Sequence, residues 1–377
     1  MTAMPTRRVR VLWLIKGLGP GGAEGLLVAS AAAIDRAAFD VEVVYLLPGK
    51  DHLVARLEAL GVGCTCLEAS DERDLRWTVK LRRLLRERNF DVVHMHSPYA
   101  AAFARLVVRS LPKRERPRLV TTEHNPWFTY KRATRLANAL TAPLDDAVVA
   151  VSDETRRSFP RGRCRRAETL VHGVPLDEIR ACAPDRDAVR RELGVGDETL
   201  LVGTVANYHP KKDWPNLLHA ARRVADADTS IRFCAVGQGP LEAEVIELRE
   251  RLHLQPSVIL TGHRPDAVRV MAGFDVFVLA SVWEGLPVAL MEACALGLPI
   301  VATRVGGIAE RFRDDADALL VPPRRSDLLA AAVLRVAGDA ALRARLSAAS
   351  TCNAEQFDVR CTIRHLERVY RTVIALD

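Results

Sequence analysis

The chain has 377 residues, of which 49% are hydrophobic, so it exceeds the usual size of a single core and is expected to form two domains. Lys and Arg outnumber Asp and Glu by 54 to 47, and the excess lies in residues 1–185, which hold 30 basic and 22 acidic side chains. No apolar run approaches the roughly twenty residues that cross a bilayer, and the 8 cysteines include no Cys-x-x-Cys pair, which indicates reduced thiols in a cytoplasmic protein.

Short β-branched and apolar runs alternate with amphipathic segments along the first half of the chain. The predicted strands are Val9–Ile15, Val41–Leu47, Val62–Leu67, Val92–His96, Leu119–Thr122, Ala147–Ser152 and Thr169–His172. The helix-like segments between them include Ala23–Ile34, Leu53–Leu60, Leu75–Arg88 and Tyr99–Ser110. This alternation predicts a parallel sheet that is covered by helices on both faces.

The second half of the chain repeats this arrangement. Its predicted strands are Leu200–Val205, Arg232–Val236, Val258–Leu260, Val276–Leu279 and Ile300–Ala302, and the segment Phe357–Leu376 reads as one amphipathic helix. The sequence therefore predicts an α/β protein with two doubly wound domains. We place the N-terminal domain at residues 1–180, the C-terminal domain at 181–356 and the final helix at 357–377.

Two features of the first half follow predicted strands, where ligands of open α/β sheets bind. A glycine-rich run that contains Gly21 and Gly22 precedes a helix, and its amides suit a close approach to a ligand. A simple tight turn is the alternative. His124 ends another predicted strand, where a structural role is the alternative to a catalytic one.

Loops of the second half carry cations. Lys211 and Lys212 follow the strand Leu200–Val205, where a lysine would neutralise a phosphate. Two adjacent loop lysines that are merely solvated are the alternative. Arg264 follows the strand Val258–Leu260 in what is otherwise an ordinary turn between a strand and a helix.

Two carboxylates, Glu284 and Glu292, are separated by seven residues after a predicted strand. The segment between Pro287 and Gly297 is apolar except for Glu292, which predicts a buried helix with Pro287 at its first position. A buried carboxylate needs a protein donor, water or a ligand. The amides of residues 286–288 would face outward at the start of this helix and suit a phosphate oxygen.

With these loops assembled, the chain resembles the retaining glycosyltransferases of family 4. The motifs that carry the resemblance are Gly21-Gly22-Ala-Glu24, Thr122-Glu-His124-Asn125, Val236-Gly-Gln-Gly-Pro240, Glu284-Gly-Leu-Pro287 with Glu292, and Thr303-Arg-Val-Gly-Gly307 with Leu320-Val-Pro-Pro323. The similarity covers nearly the whole chain. It implies the GT-B architecture, in which the parallel sheets of two Rossmann-like domains face a central cleft and the final helix crosses back to the N-terminal domain.

Membership of this family implies a nucleotide diphosphate sugar, with UDP or GDP, held mainly by the second domain, and an acceptor held mainly by the first. By that resemblance Glu292 hydrogen-bonds the donor ribose, Glu284 contacts the transferred sugar and Lys212 contacts the diphosphate. The other implied positions are Asn207, Gly285, Leu286 and Pro287 at the diphosphate, Arg264 beside the base, Gly21 and Gly22 over the phosphates, and His124 near the transferred sugar. Glu284 and His124 are the implied catalytic residues.

Three positions depart from the family pattern. Asn207 stands where many members have an arginine, which weakens the expected cationic clamp unless Lys211 contributes. His172-Gly-Val-Pro175 replaces a frequent Asn-Gly-Val-Asp, and Ala318 replaces a frequent glycine. These two changes concern loop and hinge geometry.

The expected chemistry is transfer of a hexosyl group with retention, to a glycan, a lipid-linked or a small-molecule acceptor. No acidic cluster adjoins the Glu284 motif, so neither a metal nor another cofactor is expected. A nucleotide-sugar epimerase or a phosphorylase shares the architecture and remains an alternative. A non-catalytic nucleotide-sugar-binding protein is a further alternative, which Asn207 favours.

The basic first half suggests contact with an anionic membrane at its cytoplasmic side. Its charge concentrates in the segments Lys80–Arg88 and Arg105–Arg118 and in six arginines from Arg156 to Arg166. A solvated surface is the alternative, and the few aromatic residues form no nucleic-acid module, so no nucleic-acid partner is expected. The segment Leu75–Arg88 is a candidate interfacial helix, with an ordinary core-packed helix as the alternative.

Overall fold

The computed structural model describes residues 7–71, 74–160, 162, 164 and 166–376, and it divides the chain into two compact units. The first unit comprises Met1–Gly173 and Val359–Asp377, and the second comprises Val174–Asp358. The sequence-based boundaries stand at residues 180 and 356, a few residues away. Three of the six arginines from Arg156 to Arg166, at positions 161, 163 and 165, lie outside the described residues.

The first unit is built on a fully parallel sheet. Its strands are β1 (Val9–Ile15), β2 (Phe39–Tyr45), β3 (Gly63–Cys66), β4 (Val92–Met95), β5 (Arg118–Glu123), β6 (Ala147–Ala150) and β7 (Ala167–Thr169). They lie in the order β3-β2-β1-β4-β5-β6-β7. The helices are α1 (Gly22–Ala33), α2 (Val54–Ala59), α3 (Trp77–Glu87), α4 (Pro98–Arg109), α5 (Arg132–Thr141) and α6 (Asp153–Arg157). The strand order reverses at β1, which makes the sheet doubly wound, as predicted.

Successive residues of β1 supply both cores of this unit, because side chains alternate between the faces of a strand. Val11 and Trp13 pack into one core, and Leu12 and Leu14 into the other. The second core also takes the apolar side chains of α3, namely Trp77, Leu81, Leu84 and Leu85. The interpretation of this helix as an interfacial one is therefore wrong for these four side chains.

The second unit contains another parallel sheet. Its strands are β8 (Leu200–Val205), β9 (Ile231–Val236), β10 (Val258–Gly262), β11 (Val276–Leu279), β12 (Ile300–Thr303) and β13 (Leu319–Val321), in the order β10-β9-β8-β11-β12-β13. The helices are α7 (Leu176–Arg180), α8 (Arg186–Glu192), α9 (Trp214–Ala227), α10 (Glu242–Arg251), α11 (Ala267–Met271), α12 (Val288–Ala295), α13 (Gly306–Arg311), α14 (Ser326–Gly338) and α15 (Ala340–Ala354). Among the strands of the described residues, the edge strand β13 alone is not predicted from the sequence.

The last helix, α16 (Val359–Ile374), belongs to the first unit, as the resemblance implies. Its apolar side chains, including Ile363 and Leu366, enter the core beside Trp13. Its Tyr370 hydroxyl accepts a hydrogen bond from Trp13 Nε1 at 3.0 Å and lies 2.6 Å from His94 Nδ1. The chain thus returns from the second unit to complete the first. In the part of the chain that the structure describes, no helix is both long and apolar enough to cross a membrane.

Candidate active site

The carboxylate of Glu284 is the centre of a buried polar cluster at the carboxyl edge of the second sheet. β8 and β11 are neighbours in this sheet, so the loops that follow them meet. Lys212 Nζ contacts Glu284 Oε1, and Lys211 Nζ lies 3.4 Å from Glu284 Oε2. Ser281 Oγ donates a hydrogen bond to Glu284 Oε1 at 2.8 Å. The structure therefore brings together two predicted site residues, Glu284 and Lys212.

These contacts hold Glu284 ionised although it is buried. Burial alone would raise the pKa of its carboxyl, but the charges of Lys212 and Lys211 and the hydrogen bonds from Lys212 and Ser281 bring that pKa below its usual value. Burial also disfavours the charged form of Lys212 and so lowers the pKa of this lysine, and the negative charge of Glu284 partly offsets that effect. The result is a desolvated carboxylate between two ammonium groups, with one positive charge in excess.

The loop after β8 places both lysines by its backbone. The carbonyl of Lys211 accepts a hydrogen bond from the amide of Val282 at 2.8 Å, which joins this loop to the one after β11. The carbonyl of Asn207 accepts from Trp214 Nε1 at 3.0 Å. The Asn207 side chain is exposed and has no hydrogen-bond partner among the described residues. Lys211, rather than Asn207, therefore joins Lys212 at Glu284, as a second cation.

The segment that carries Glu284 is fixed by close packing against the neighbouring loop. Thr303 Oγ1 donates to the Ser281 carbonyl at 2.6 Å, and the amide of Gly307 donates to the Gly285 carbonyl at 2.7 Å. A Cβ on Gly307 would lie only 2.1 Å from that carbonyl oxygen, so a larger residue would displace the loop. This approach explains why a glycine occupies position 307.

Helix α12 begins directly after this segment. The helix begins at Val288, one residue after the predicted start, and Pro287 is its N-cap. Gly297, just beyond the end of the helix, has a φ of +68°, as a helix stop requires. The amides of Val288 and Ala289 have no acceptor among the described residues, as expected for a first turn. Gly285, Leu286 and Pro287 thus link Glu284 to an N-terminus that can receive an anion.

Glu292 lies on α12 and differs from Glu284 in having no protein partner. Its side chain makes no hydrogen bond to any residue that the structure describes, and burial raises its pKa to about 7. Such a carboxyl is destabilised in the ligand-free protein. Hydroxyl donors from a ligand would satisfy it.

An open cavity of about 530 Å³ adjoins the Glu284 cluster. Its lining consists of Pro210, Lys211, Val282, Trp283, Pro323 and Arg324. Lys211 Nζ lies 5.0 Å from the centroid of the Trp283 ring, so this lysine borders both the cavity and Glu284. The volume falls within the range of small-molecule sites.

Arg264 is ion-paired with two carboxylates and is not a free cation. Its guanidinium donates two hydrogen bonds of 2.7 Å to Asp266 and a third of 2.5 Å to Glu192. These carboxylates compensate its charge. Contact with a nucleotide base through Arg264 stays a prediction.

In the first unit, the predicted glycine loop does form a helix entry. Gly21 is the N-cap of α1, in extended conformation, and Gly22 is its first residue. A Cβ on Gly21 would lie 2.2 Å from Glu24 Oε2, so the Glu24 carboxylate occupies the space above this glycine. Burial raises the pKa of Glu24, an effect that hydrogen bonding to its own amide and the charges of Lys50 and Lys16 reduce.

His124 belongs to a cluster of histidines at the carboxyl edge of the first sheet. Its ring stacks on that of His172 at 5.1 Å and 11°, and lies 5.8 Å from His96. The Nε2 atoms of all three rings are buried without a hydrogen-bond partner in the described residues. Burial, together with the neighbouring rings, lowers the pKa of His124 well below its usual range, so the ring is neutral at pH 7.

Sequence reasoning missed several members of these clusters. Ser281 and His96 belong to no motif of the sequence, although His96 is the last residue of a predicted strand and Ser281 stands two residues after another, Val276–Leu279. His172 was noted only as a departure from the family pattern. Among the described residues, no group of three or more His, Cys, Asp or Glu side chains has an arrangement that could hold a metal ion.

Comparison with known proteins identifies the class. The model of Glycosyltransferase Family 4 matches residues 20–178, and the model described as Glycosyl transferases group 1 matches residues 199–339. Two Rossmann-like units with these matches define a glycosyltransferase of GT-B architecture. The chain belongs to the family 4 glycosyltransferases.

Individual relatives agree with this assignment. The UDP-Gal:alpha-D-GlcNAc-diphosphoundecaprenol alpha-1,3-galactosyltransferase of Escherichia coli is 24% identical over 318 residues, which are 81% of this chain and 81% of that protein. The phosphatidyl-myo-inositol mannosyltransferase of Mycobacterium leprae is 28% identical, over 78% of this chain and 76% of that protein. The crystal structure of Anabaena HepE in complex with UDP and glucose superposes with a TM-score of 0.85 at 21% identity and covers 98% of this chain and 100% of that one.

Proposed function

We propose that this protein is a retaining hexosyltransferase that uses a nucleotide diphosphate sugar, with UDP or GDP, and requires no divalent metal. The observation that carries the proposal is the buried Glu284, held by Lys211, Lys212 and Ser281 beside the free N-terminus of α12. This arrangement offers cations and amides to a diphosphate and a carboxylate to sugar hydroxyls. The UDP-sugar donor that the Escherichia coli relative's name gives supports the same class of donor.

The leaving group determines the need for positive charge. When the bond between sugar and phosphate breaks, negative charge develops on the diphosphate, and positioned donors stabilise it without reorganising. Lys212 and the amides of Val288 and Ala289 would meet that charge. Lys211 adds a second cation, so the arginine that Asn207 replaces is not needed, and neither is a metal.

The two carboxylates have separate roles in this proposal. Glu284 accepts hydrogen bonds from hydroxyls of the transferred sugar, and Glu292, which lacks a protein partner, accepts them from the ribose. Glu284 is not a covalent nucleophile here, because two lysines share its charge. Retention follows if the acceptor attacks from the side of the departing phosphate, which then takes the acceptor's proton. His124, neutral at pH 7, would contact the sugar as a hydrogen-bonding group.

The acceptor is proposed to be carried on a lipid, in the synthesis of a polysaccharide or glycolipid at the cytoplasmic side of a membrane. The names of the two curated relatives above include a diphosphoundecaprenol and a phosphatidyl-myo-inositol. The excess of basic residues in the first unit is consistent with an anionic surface nearby. The acceptor is held mainly by this unit.

Product analysis tests the proposal against the alternatives. Purified protein is incubated with UDP-sugars and GDP-sugars in the presence of a chelator, with and without a lipid-linked sugar acceptor, and nucleoside diphosphate and sugar products are measured. A transferase releases nucleoside diphosphate in an acceptor-dependent way and forms a product with the donor's anomeric configuration. Interconversion of the free donor would identify an epimerase, and binding without turnover a non-catalytic protein. A product with inverted anomeric configuration would contradict the retaining mechanism. Loss of activity in the presence of the chelator would contradict metal independence.

A further inference from the structure

Apolar side chains are concentrated on the outer surface of one helical layer of the first unit. The side chains of Leu106 on α4, Phe128 in the turn before α5, and Leu136 and Leu140 on α5 are 52%, 58%, 62% and 63% exposed. α5 packs on α4, so these residues belong to adjoining elements. Exposed apolar groups that cluster in this way indicate an interaction site.

The orientation of α5 is fixed by its buried face. Arg105 of α4 donates hydrogen bonds to Asn138 Oδ1 at 2.8 Å and to Thr141 Oγ1 at 3.1 Å. Leu136 and Leu140 each stand two residues from Asn138, which is about 200° around a helix of 3.6 residues per turn. They therefore face away from α4, one turn apart on the same outer side.

The segment that forms this surface is basic. Lys131, Arg132 and Arg135 are exposed beside the two leucines, and no Asp or Glu occurs from residue 125 to residue 144. None of the three cations forms an ion pair with a residue that the structure describes. The cations of α3 differ, since Lys80 pairs with Glu68 and Arg83 with Glu87.

We infer that the α5 surface, defined by Phe128, Lys131, Arg132, Arg135, Leu136 and Leu140, docks on a bilayer with anionic lipid headgroups. The leucines and Phe128 enter the boundary between headgroups and acyl chains, and the cations meet lipid phosphates. Cations without ion-pair partners beside exposed apolar side chains are the combination that an anionic bilayer surface receives. The inference rests on the proposed function only in that it names the surface through which a lipid-carried acceptor is approached.

Vesicle sedimentation tests the apolar part of this surface. The full chain is mixed with vesicles of phosphatidylglycerol and phosphatidylcholine, or of phosphatidylcholine alone. We expect binding to the anionic vesicles, weakened about tenfold in the double variant Leu136→Ser/Leu140→Ser. Ile246→Ser, which changes an exposed apolar residue of α10 in the second unit, is the matched control and should bind like the wild type. No binding of the wild type, or equal binding of the double variant, would overturn the inference.

Charge variants test the basic part. Arg132→Gln/Arg135→Gln should lower the affinity for anionic vesicles about 25-fold, or roughly fivefold for each cation removed, whereas Arg223→Gln/Arg251→Gln in the second unit should not. Equal losses in both double variants would show non-specific attraction and overturn the assignment to α5. If the leucine variant keeps vesicle binding and instead dissociates an oligomer in size-exclusion chromatography, the surface is a protein contact and the inference is wrong.

Nucleotide binding separates this inference from the proposed function. UDP and GDP are titrated calorimetrically into each surface variant. Retained nucleotide binding with lost vesicle binding supports the docking surface. Absence of nucleotide binding in the wild type would count against the proposed donor. The vesicle experiments would then still test the docking surface independently.

Discussion

Replacing Glu292 by Gln should make the ligand-free protein more stable and the nucleotide-bound complex weaker. The carboxyl of Glu292 on α12 is partly buried and has no hydrogen-bond partner among the described residues, and this burial raises its pKa to about 7. Glutamine keeps the shape and removes the charge. A substitution that stabilises the protein and weakens ligand binding is typical of a residue that is kept for binding.

The magnitude follows from the pKa of Glu292. Between the ordinary value of 4.5 and the folded value of about 7, the folded protein binds a proton that the unfolded chain has released. Stability due to this group is present below pH 4.5 and is lost as the pH rises to 7. Complete ionisation costs about 3 kcal/mol. Since the side chain is partly exposed, we expect Glu292→Gln to gain roughly 1–3 kcal/mol at pH 8 and nothing at pH 4.5.

Urea unfolding of the wild type and the variant at both pH values measures this gain, with Glu244→Gln on the exposed side of α10 as the control. Calorimetry at pH 8 then compares nucleoside diphosphate affinity. The reasoning is refuted if the stability difference is the same at pH 4.5 and pH 8, which would mean that Glu292 ionises normally. Unchanged nucleotide affinity would remove Glu292 from the ribose role.

The remaining predictions concern the first unit. Arg105→Met should destabilise the protein by about 3–5 kcal/mol in urea unfolding, because it leaves the fully buried Asp145 without its partner at 2.8 Å; a loss below about 1 kcal/mol would contradict this. His172→Asn should lower kcat about tenfold at unchanged donor KM by releasing the His124 ring, whereas His172→Phe keeps the stack and the rate; equal rates in the two variants would refute a positioning role. The free energy of unfolding of the wild type relative to His172→Phe should fall as the pH drops from 6.5 to 4, since His172, with its pKa lowered to about 4, stays neutral in the folded protein while the unfolded chain binds a proton; a difference that does not change with pH would contradict it.

Most of the fold could be predicted from the sequence, because the spacing of apolar residues and the length of apolar runs distinguish strands from helices. Every predicted strand is present, within a few residues of its expected bounds. β13 was missed because Leu319–Val321 is only three residues long, too short to show a pattern. The helix α3 shows the limit of amphipathicity, since one apolar stripe suits a protein core and a membrane equally well.

The candidate site could be predicted less completely, because its contacts join distant segments. The motif indicated Glu284 and Lys212, but nothing in the sequence showed that Lys211 would also reach the same carboxylate. Arg264 looked free in sequence and is ion-paired in the structure with Glu192, 72 residues away. Pairings of this kind depend on how strands are ordered in a sheet, which local pattern does not encode.

The central claim, that the second unit binds a nucleotide diphosphate through the Glu284 cluster, is tested most directly by one calorimetric experiment. UDP and GDP are titrated into the wild type, into Lys212→Gln, which keeps a hydrogen-bond donor for Glu284 but removes the charge, and into Arg251→Gln on exposed α10 as the control. We predict saturable binding of one nucleotide by the wild type and the control, weakened about tenfold or more in Lys212→Gln. No binding by the wild type, or equal affinity in all three proteins, would contradict the claim.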